Sequence, residues 1–233
     1  MLFKLLPVID VMTSFYQLPL TPDRFQQYLK MLEGGKKGDL LFPISGFNPM
    51  AKGHVLDKLN ELKAIGAEDV MKDAIKKINW KFAAQYKEKQ FNVALNLSDD
   101  LRGGWTNRFT SDYDSKFRIN GLFERNFCVP VFWSSEPVTK EIVRSRAMEY
   151  MLRTIYRIGH STPVTLEEHF AQENFVADEM EYLESVPTAR SPWNEEFYNE
   201  HKNSAEYALI FNFLYGDAAS ESLSFKTFGN DGL

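Results

Sequence analysis

Charged and polar side chains that could convert a small molecule are concentrated between residues 96 and 110. Asp99 and Asp100 are the candidate catalytic residues, because a positioned carboxylate acts as a general acid or base. Gly103 and Gly104 would let the backbone adopt positive φ angles and approach a ligand closely. The segment therefore predicts a polar loop that recognises a ligand.

The same loop contains four side chains suited to binding a polar or anionic ligand. Arg102 and Arg108 would hold a carboxylate or phosphate through forked guanidinium hydrogen bonds. Trp105 would supply a flat apolar wall that excludes water, and Asn107 would add an amide that both donates and accepts. With the two carboxylates, these residues predict the small-molecule site of a hydrolase or a transferase.

Two other interpretations of the sequence stay open. In the first, the loop is a long hairpin connection whose Asp–Arg pairs are surface ion pairs, each contributing about 1 kcal/mol at most. Trp105 then covers an edge of the core. In the second, the chain is a non-catalytic interaction protein, and exposed aromatic residues such as Phe225 and Phe228 bind another protein.

Several enzyme classes are excluded in their common forms, because their motifs are absent from the sequence. The phosphate loop, the dinucleotide fingerprint, the nucleophile elbow, the His-Glu-x-x-His zinc motif and Cys-x-x-Cys are all missing. No pattern specifies a cofactor, which stays unknown, and no metal site is predicted. The metal alternative combines His160 with His169 and Glu173, which lie four residues apart on one helix face.

Residues 45–54 are predicted to connect a strand to a helix. A helix N-terminus attracts anions, and Lys52 and His54 add positive character there. The interpretation that we favour is structural, with Ser45 or Asn48 capping the helix.

Composition restricts the remaining functions. The 233 residues are 44% hydrophobic and 25% charged, which is typical of a soluble globular protein. A net charge of −5 disfavours nucleic acid, and the lack of a long apolar run predicts no membrane span. The single cysteine, Cys128, fits a reducing compartment, so we expect a cytoplasmic protein. The expected partner is a small polar or anionic ligand, and homo-oligomerisation is left open.

Periodicity predicts an α+β fold, mostly helical, with a small antiparallel sheet formed by segments between residues 40 and 133. The candidate strands are residues 40–44, 91–98, 117–122 and 127–133. Residues 207–215 are apolar on all sides, which fits either a buried helix or a strand. Residues 1–216 are predicted to form a single globular domain, and residues 217–233 a C-terminal tail that frays.

Overall fold

The computed structural model describes residues 1–33, 40–44, 46–101, 107–118, 120–185 and 193–233. The chain divides into two compact units. Unit 1 comprises Met1–Arg108 and Ile119–Met151, and unit 2 comprises Phe109–Arg118 and Leu152–Leu233. The single domain proposed for residues 1–216 stays a prediction.

Helices dominate the secondary structure, as the sequence predicts, since 58% of the described residues are helical. The α-helices of the described residues are α1 (Ile9–Tyr16), α2 (Pro22–Leu32), α3 (Gly53–Ala64), α4 (Ala67–Phe82), α5 (Arg108–Tyr113), α6 (Asn120–Glu124), α7 (Lys140–Gly159), α8 (Leu166–Glu184), α9 (Glu195–His201) and α10 (Tyr207–Ser222). A π-helix, Asp114–Arg118, follows α5. None of the helices in the described ranges combines the length and the hydrophobicity that a membrane span requires.

The strands form two small sheets, and the predicted antiparallel arrangement is wrong. The strands are β1 (Phe3–Leu5), β2 (Phe91–Val93), β3 (Asn96–Ser98), β4 (Phe127–Cys128) and β5 (Val131–Trp133). One sheet has the order β1-β2-β4 and the other has the order β3-β5, and every pairing is parallel. Parallel neighbours need a long crossover. The chain between β3 and β4 belongs to both the β2–β4 and the β3–β5 crossovers, and it contains α5, the π-helix and α6.

Two predicted strands do not form. Residues 117–122 were expected to pair, but Phe117 belongs to the π-helix and residues 120–122 belong to α6. In residues 40–44, Leu40 makes an isolated antiparallel bridge to Glu33, and residues 41–44 lie in no strand. Without these segments, the remaining strands pair across helical crossovers.

The β2–β4 pair and the β3–β5 pair have the same offset in residue number between facing residues. Asn92 faces Phe127, and four residues later Asn96 faces Val131. Pro130 has no N–H and interrupts the ladder, while its carbonyl accepts from the Asn96 N–H at 2.9 Å. Consequently β3 and β5 end side by side, and the chain leaves both strands at the same edge.

The helix α4 holds the start of unit 1 in place. Its apolar side, which repeats at helical spacing, is buried from Val70 to Phe82. On the same helix, the Asn79 amide accepts from the Phe3 N–H at 2.8 Å and donates to the Phe3 carbonyl at 2.8 Å. Glu68 accepts from the Val8 N–H at 2.7 Å, at the start of α1. These bonds fix β1 and α1 beside the central strand.

Unit 2 contains an aromatic core around α10, which settles the open assignment of residues 207–215 as a helix. Thr165 is the N-cap of α8, and it forms a capping box with Glu168. Asp217 accepts hydrogen bonds from the backbone of Phe228 at 3.0 Å and of Gly229 at 2.9 Å. The C-terminal residues are thus tied to α10.

Candidate functional site

The candidate site lies where β3 and β5 end. Ser98 and Trp133 face each other, and the Ser134 N–H donates to the Ser98 carbonyl at 3.0 Å. Asp99 is the next residue after β3, and Ser134 is the next residue after β5. The carboxyl edge of parallel strands is the usual position of ligand sites in open sheets, because the loops that follow the strands converge there.

Asp99 forms a hydrogen-bonded pair with His54. The Asp99 Oδ1 atom lies 2.8 Å from His54 Nε2, and the Asp99 side chain is only 2% exposed, whereas that of His54 is 30% exposed. The same oxygen accepts from Ser134 Oγ at 3.0 Å and from the Leu101 N–H at 3.2 Å. The Asp99 carboxylate is therefore held by hydrogen bonds from residues that follow both strands.

This pairing determines what the imidazole can do. An ionised Asp99 favours the His54 tautomer whose proton is on Nε2, and it leaves Nδ1 as the acceptor. His54 makes no other hydrogen bond within the described parts of the chain. A partly exposed imidazole oriented by a buried carboxylate is the arrangement of a general base.

Asp100 has a different environment from Asp99. Its Oδ1 accepts from the Ser135 N–H at 2.9 Å and lies 3.1 Å from Ser134 Oγ, whose one proton is shared with Asp99, and its Oδ2 accepts from Ser135 Oγ at 2.6 Å. Arg108 Nη1 approaches Oδ2 at 3.5 Å. These bonds suit Asp100 to holding the turn after β5, and its catalytic role stays a prediction.

Arg108 is close to the site, with its charge balanced by neighbours. Its Nη1 donates to Ser135 Oγ at 3.1 Å, and its Nη2 lies 3.8 Å from Glu136 Oε2. The guanidinium lies 5.7 Å from the centre of the Trp133 ring, within the range of a cation–π contact. Because carboxylates already surround it, Arg108 has less charge to offer a ligand than the sequence suggests.

The structure brings together three of the six predicted site residues: Asp99, Asp100 and Arg108. Asn107 is exposed immediately before α5. Arg102 and Trp105 lie outside the described residues, so their predicted roles stay predictions.

Sequence reasoning missed two residues of the site. His54 was interpreted as part of a helix start, and Ser134 was not singled out. The feature of the sequence that could have drawn attention to His54 is its place at the start of a helix, α3. Pairing it with Asp99 needed the fold, because 45 residues separate the two.

The turn before α3 packs closely against β3 through Gly46. A Cβ atom on Gly46 would lie 2.4 Å from Asn96 Nδ2 and 2.9 Å from Ser98 Oγ. The Ser98 hydroxyl also donates to the Gly46 carbonyl at 3.3 Å. The absence of a side chain at residue 46 thus allows the turn that leads to His54 to lie on β3.

Gly46→Ala is expected to destabilise the protein by about 1–3 kcal/mol, because the added methyl group overpacks this contact. Urea unfolding measures the change, with Gly53→Ala as the matched control, since a Cβ on Gly53 meets no atom within 4 Å. Equal stability of Gly46→Ala and the wild type would show that the turn can move away from β3 at no cost.

In the described part of unit 2, the histidines do not assemble a metal site. His160 stacks on Tyr156 at 4.1 Å, whereas His169 is buried beside the rings of Tyr113 and Phe117. Across the described ranges, no group of three or more His, Cys, Asp or Glu side chains is placed to hold a metal ion. The combination of His160 and His169 with Glu173 is therefore not supported.

No protein-family model, curated protein or solved structure matches this chain. The geometry of the site is consequently the basis on which a function is proposed.

Proposed function

We propose that this chain is a hydrolase of a small polar substrate, in which His54 is the general base and Asp99 positions it. The observation that carries the proposal is the 2.8 Å bond between the buried Asp99 carboxylate and the partly exposed His54 imidazole. The pair lies at the carboxyl edge of β3 and β5, where substrate sites are common.

The proposed reaction uses water as the nucleophile. His54 Nδ1 takes a proton from water while the water oxygen forms a bond to the electrophilic centre. The bond to the leaving group then breaks, and the imidazolium returns the proton to that group. Asp99 stabilises the imidazolium through its bond to Nε2. No hydroxyl or thiol of the described residues lies within hydrogen-bond distance of Nδ1, which favours water over a covalent intermediate.

The C-terminal aromatic residues Phe225 and Phe228 support the alternative of an interaction protein less than the His54–Asp99 pair supports a hydrolase. Phe225 and Phe228 are partly buried, and both pack against the core of unit 2. A buried ring contributes little to docking another chain. We also keep the cytoplasm as the proposed compartment, since Cys128 is the single cysteine and is buried.

A panel of chromogenic carboxylic esters, phosphoesters and glycosides tests the proposal. We expect the wild type to hydrolyse at least one class through the general base. His54→Gln should lose this hydrolysis while keeping the thermal stability of the wild type. A wild type inactive on every class, or a fully active His54→Gln variant, would refute the proposed reaction.

A further inference from the structure

Among the described residues, Arg24 on α2 is a buried cation without a counter-ion. The residue is 3% exposed, and no carboxylate of the described residues lies within ion-pair distance of it. Its Nη1 and Nη2 atoms reach the carbonyls of Leu18 and Ala51 at 3.5 Å each, which is the limit for a hydrogen bond. Its Nε atom has no hydrogen-bond partner. Such an arrangement is costly, because a buried charge needs a partner.

The aromatic neighbours of Arg24 do not supply the missing charge. The guanidinium lies 5.2 Å from the Phe15 ring centre and 4.8 Å from that of Tyr16. Burial raises the pKa of Tyr16 and of Tyr28, so both phenols stay neutral. Their hydroxyls donate to the carbonyls of Asn48 and Ile44. The rings therefore shield the guanidinium from water without neutralising it.

Arg24 also contacts the segment that carries the proposed base. Ala51, which accepts from Arg24, is three residues before His54. We infer that Arg24 binds an anionic group of the ligand, a carboxylate or a phosphate, as the counter-charge that the described residues do not supply. A guanidinium suits either group, because both offer two oxygens to its forked donors. The inference rests on the proposed function insofar as it names an anionic substrate.

Entry of the anion requires α2 to move, and Arg24 and Tyr28 are the two buried side chains that hold this helix. In the part of the chain that the structure describes, its side chains make hydrogen bonds to the rest of unit 1 through Arg24 and Tyr28 only. The apolar residues Phe25 and Leu29 on the same helix are 39% and 36% exposed. Tyr28, which is 5% exposed and lies 5.8 Å from the Phe15 ring, is the buried apolar contact that a displacement of α2 would have to break.

Thermal unfolding and amide hydrogen exchange in sodium phosphate, in sodium acetate and in sodium chloride of equal ionic strength test this inference. We expect phosphate or acetate to raise the melting temperature relative to chloride and to slow exchange in α2 and in residues 46–52. At ten times the dissociation constant, the slowing should be about tenfold. The two anion arms show which oxyanion the site prefers.

Variants separate anion binding from a structural role. Arg24→Gln should lose the response to anions, Arg24→Lys should keep part of it, and the exposed control Arg125→Gln should keep all of it. If Arg24→Gln does not fold, Arg24→Lys and the exchange map of the wild type decide. A wild type that responds to neither anion, an equal response in an Arg24 variant, or slowing confined to other segments would overturn the inference.

His54→Gln keeps the outcome distinct from that of the proposed function. Because this variant retains Arg24, it should respond to phosphate or acetate as the wild type does. A normal anion response together with unchanged hydrolysis in His54→Gln would remove the general base and leave the anion site standing. Loss of the anion response in His54→Gln would contradict a site centred on Arg24.

Discussion

Replacing His54 with glutamine is expected to lower kcat/KM by about 10²–10⁴-fold, the range that a positioned general base contributes. Glutamine keeps a polar group at the start of α3 but cannot accept a proton at neutral pH. Activity on the substrate found with the chromogenic panel measures the loss. His160→Gln is the matched control, since His160 is an exposed histidine of unit 2 that stacks on Tyr156.

Asp99→Asn should produce a loss of similar size for a different reason. The amide group can present an N–H to His54 Nε2, which favours the tautomer with the proton on Nδ1 and so blocks the basic nitrogen. Asp57→Asn, an exposed substitution on α3, should leave kcat/KM unchanged. Full activity of Asp99→Asn would mean that the carboxylate does not orient the base.

The second large effect is a loss of stability in mild acid caused by His169. Burial lowers the pKa of His169 from 6.5 to about 4. As pH falls below 6.5, the unfolded chain takes up a proton that the folded chain refuses, so the free energy of unfolding decreases until pH reaches about 4. The shift corresponds to about 3 kcal/mol in total, of which about 2 kcal/mol is lost between pH 7 and pH 5.

Urea unfolding at pH 7 and pH 5 measures this loss. His169→Phe removes the titrating group and keeps a ring beside Tyr113 and Phe117, so its stability should depend less on pH than that of the wild type. His160→Gln should keep the full dependence. The carboxylates of Asp112 and Glu173 have lowered pKa values and lose their stabilising effect mainly below pH 5. The same pH dependence in His169→Phe and in the wild type would assign the effect to another group.

The sequence predicts local elements well where one periodic pattern is buried on one side. The apolar side of α4 and the capping of α8 by Thr165 follow from spacing and cap chemistry alone. The predicted strand over residues 117–122 is wrong, because an apolar residue among polar ones, such as Phe117, is compatible with a strand and with a π-helix. The direction of β3 relative to β5 depends on the crossover between them, and no local pattern encodes it.

The candidate site was only partly predictable for a related reason. Its acidic half, Asp99 and Asp100, adjoins a recognisable strand and is crowded with polar neighbours. Its basic half, His54, is a lone histidine whose partner is 45 residues away. No local pattern marks Ser134 in the sequence. It comes to lie beside Asp99 because Ser98 and Trp133 face each other in the sheet.

The protonation state of the His54 ring tests the central claim most directly. Long-range ¹H–¹⁵N correlation spectra at neutral pH, assigned with His54→Gln, report which ring nitrogen carries the proton. We expect the wild-type ring to carry its proton on Nε2, the nitrogen bonded to Asp99, with the preference lost or reversed in Asp99→Asn. A ring protonated on Nδ1, or an identical spectrum for His54 in the two proteins, would contradict a base oriented by Asp99.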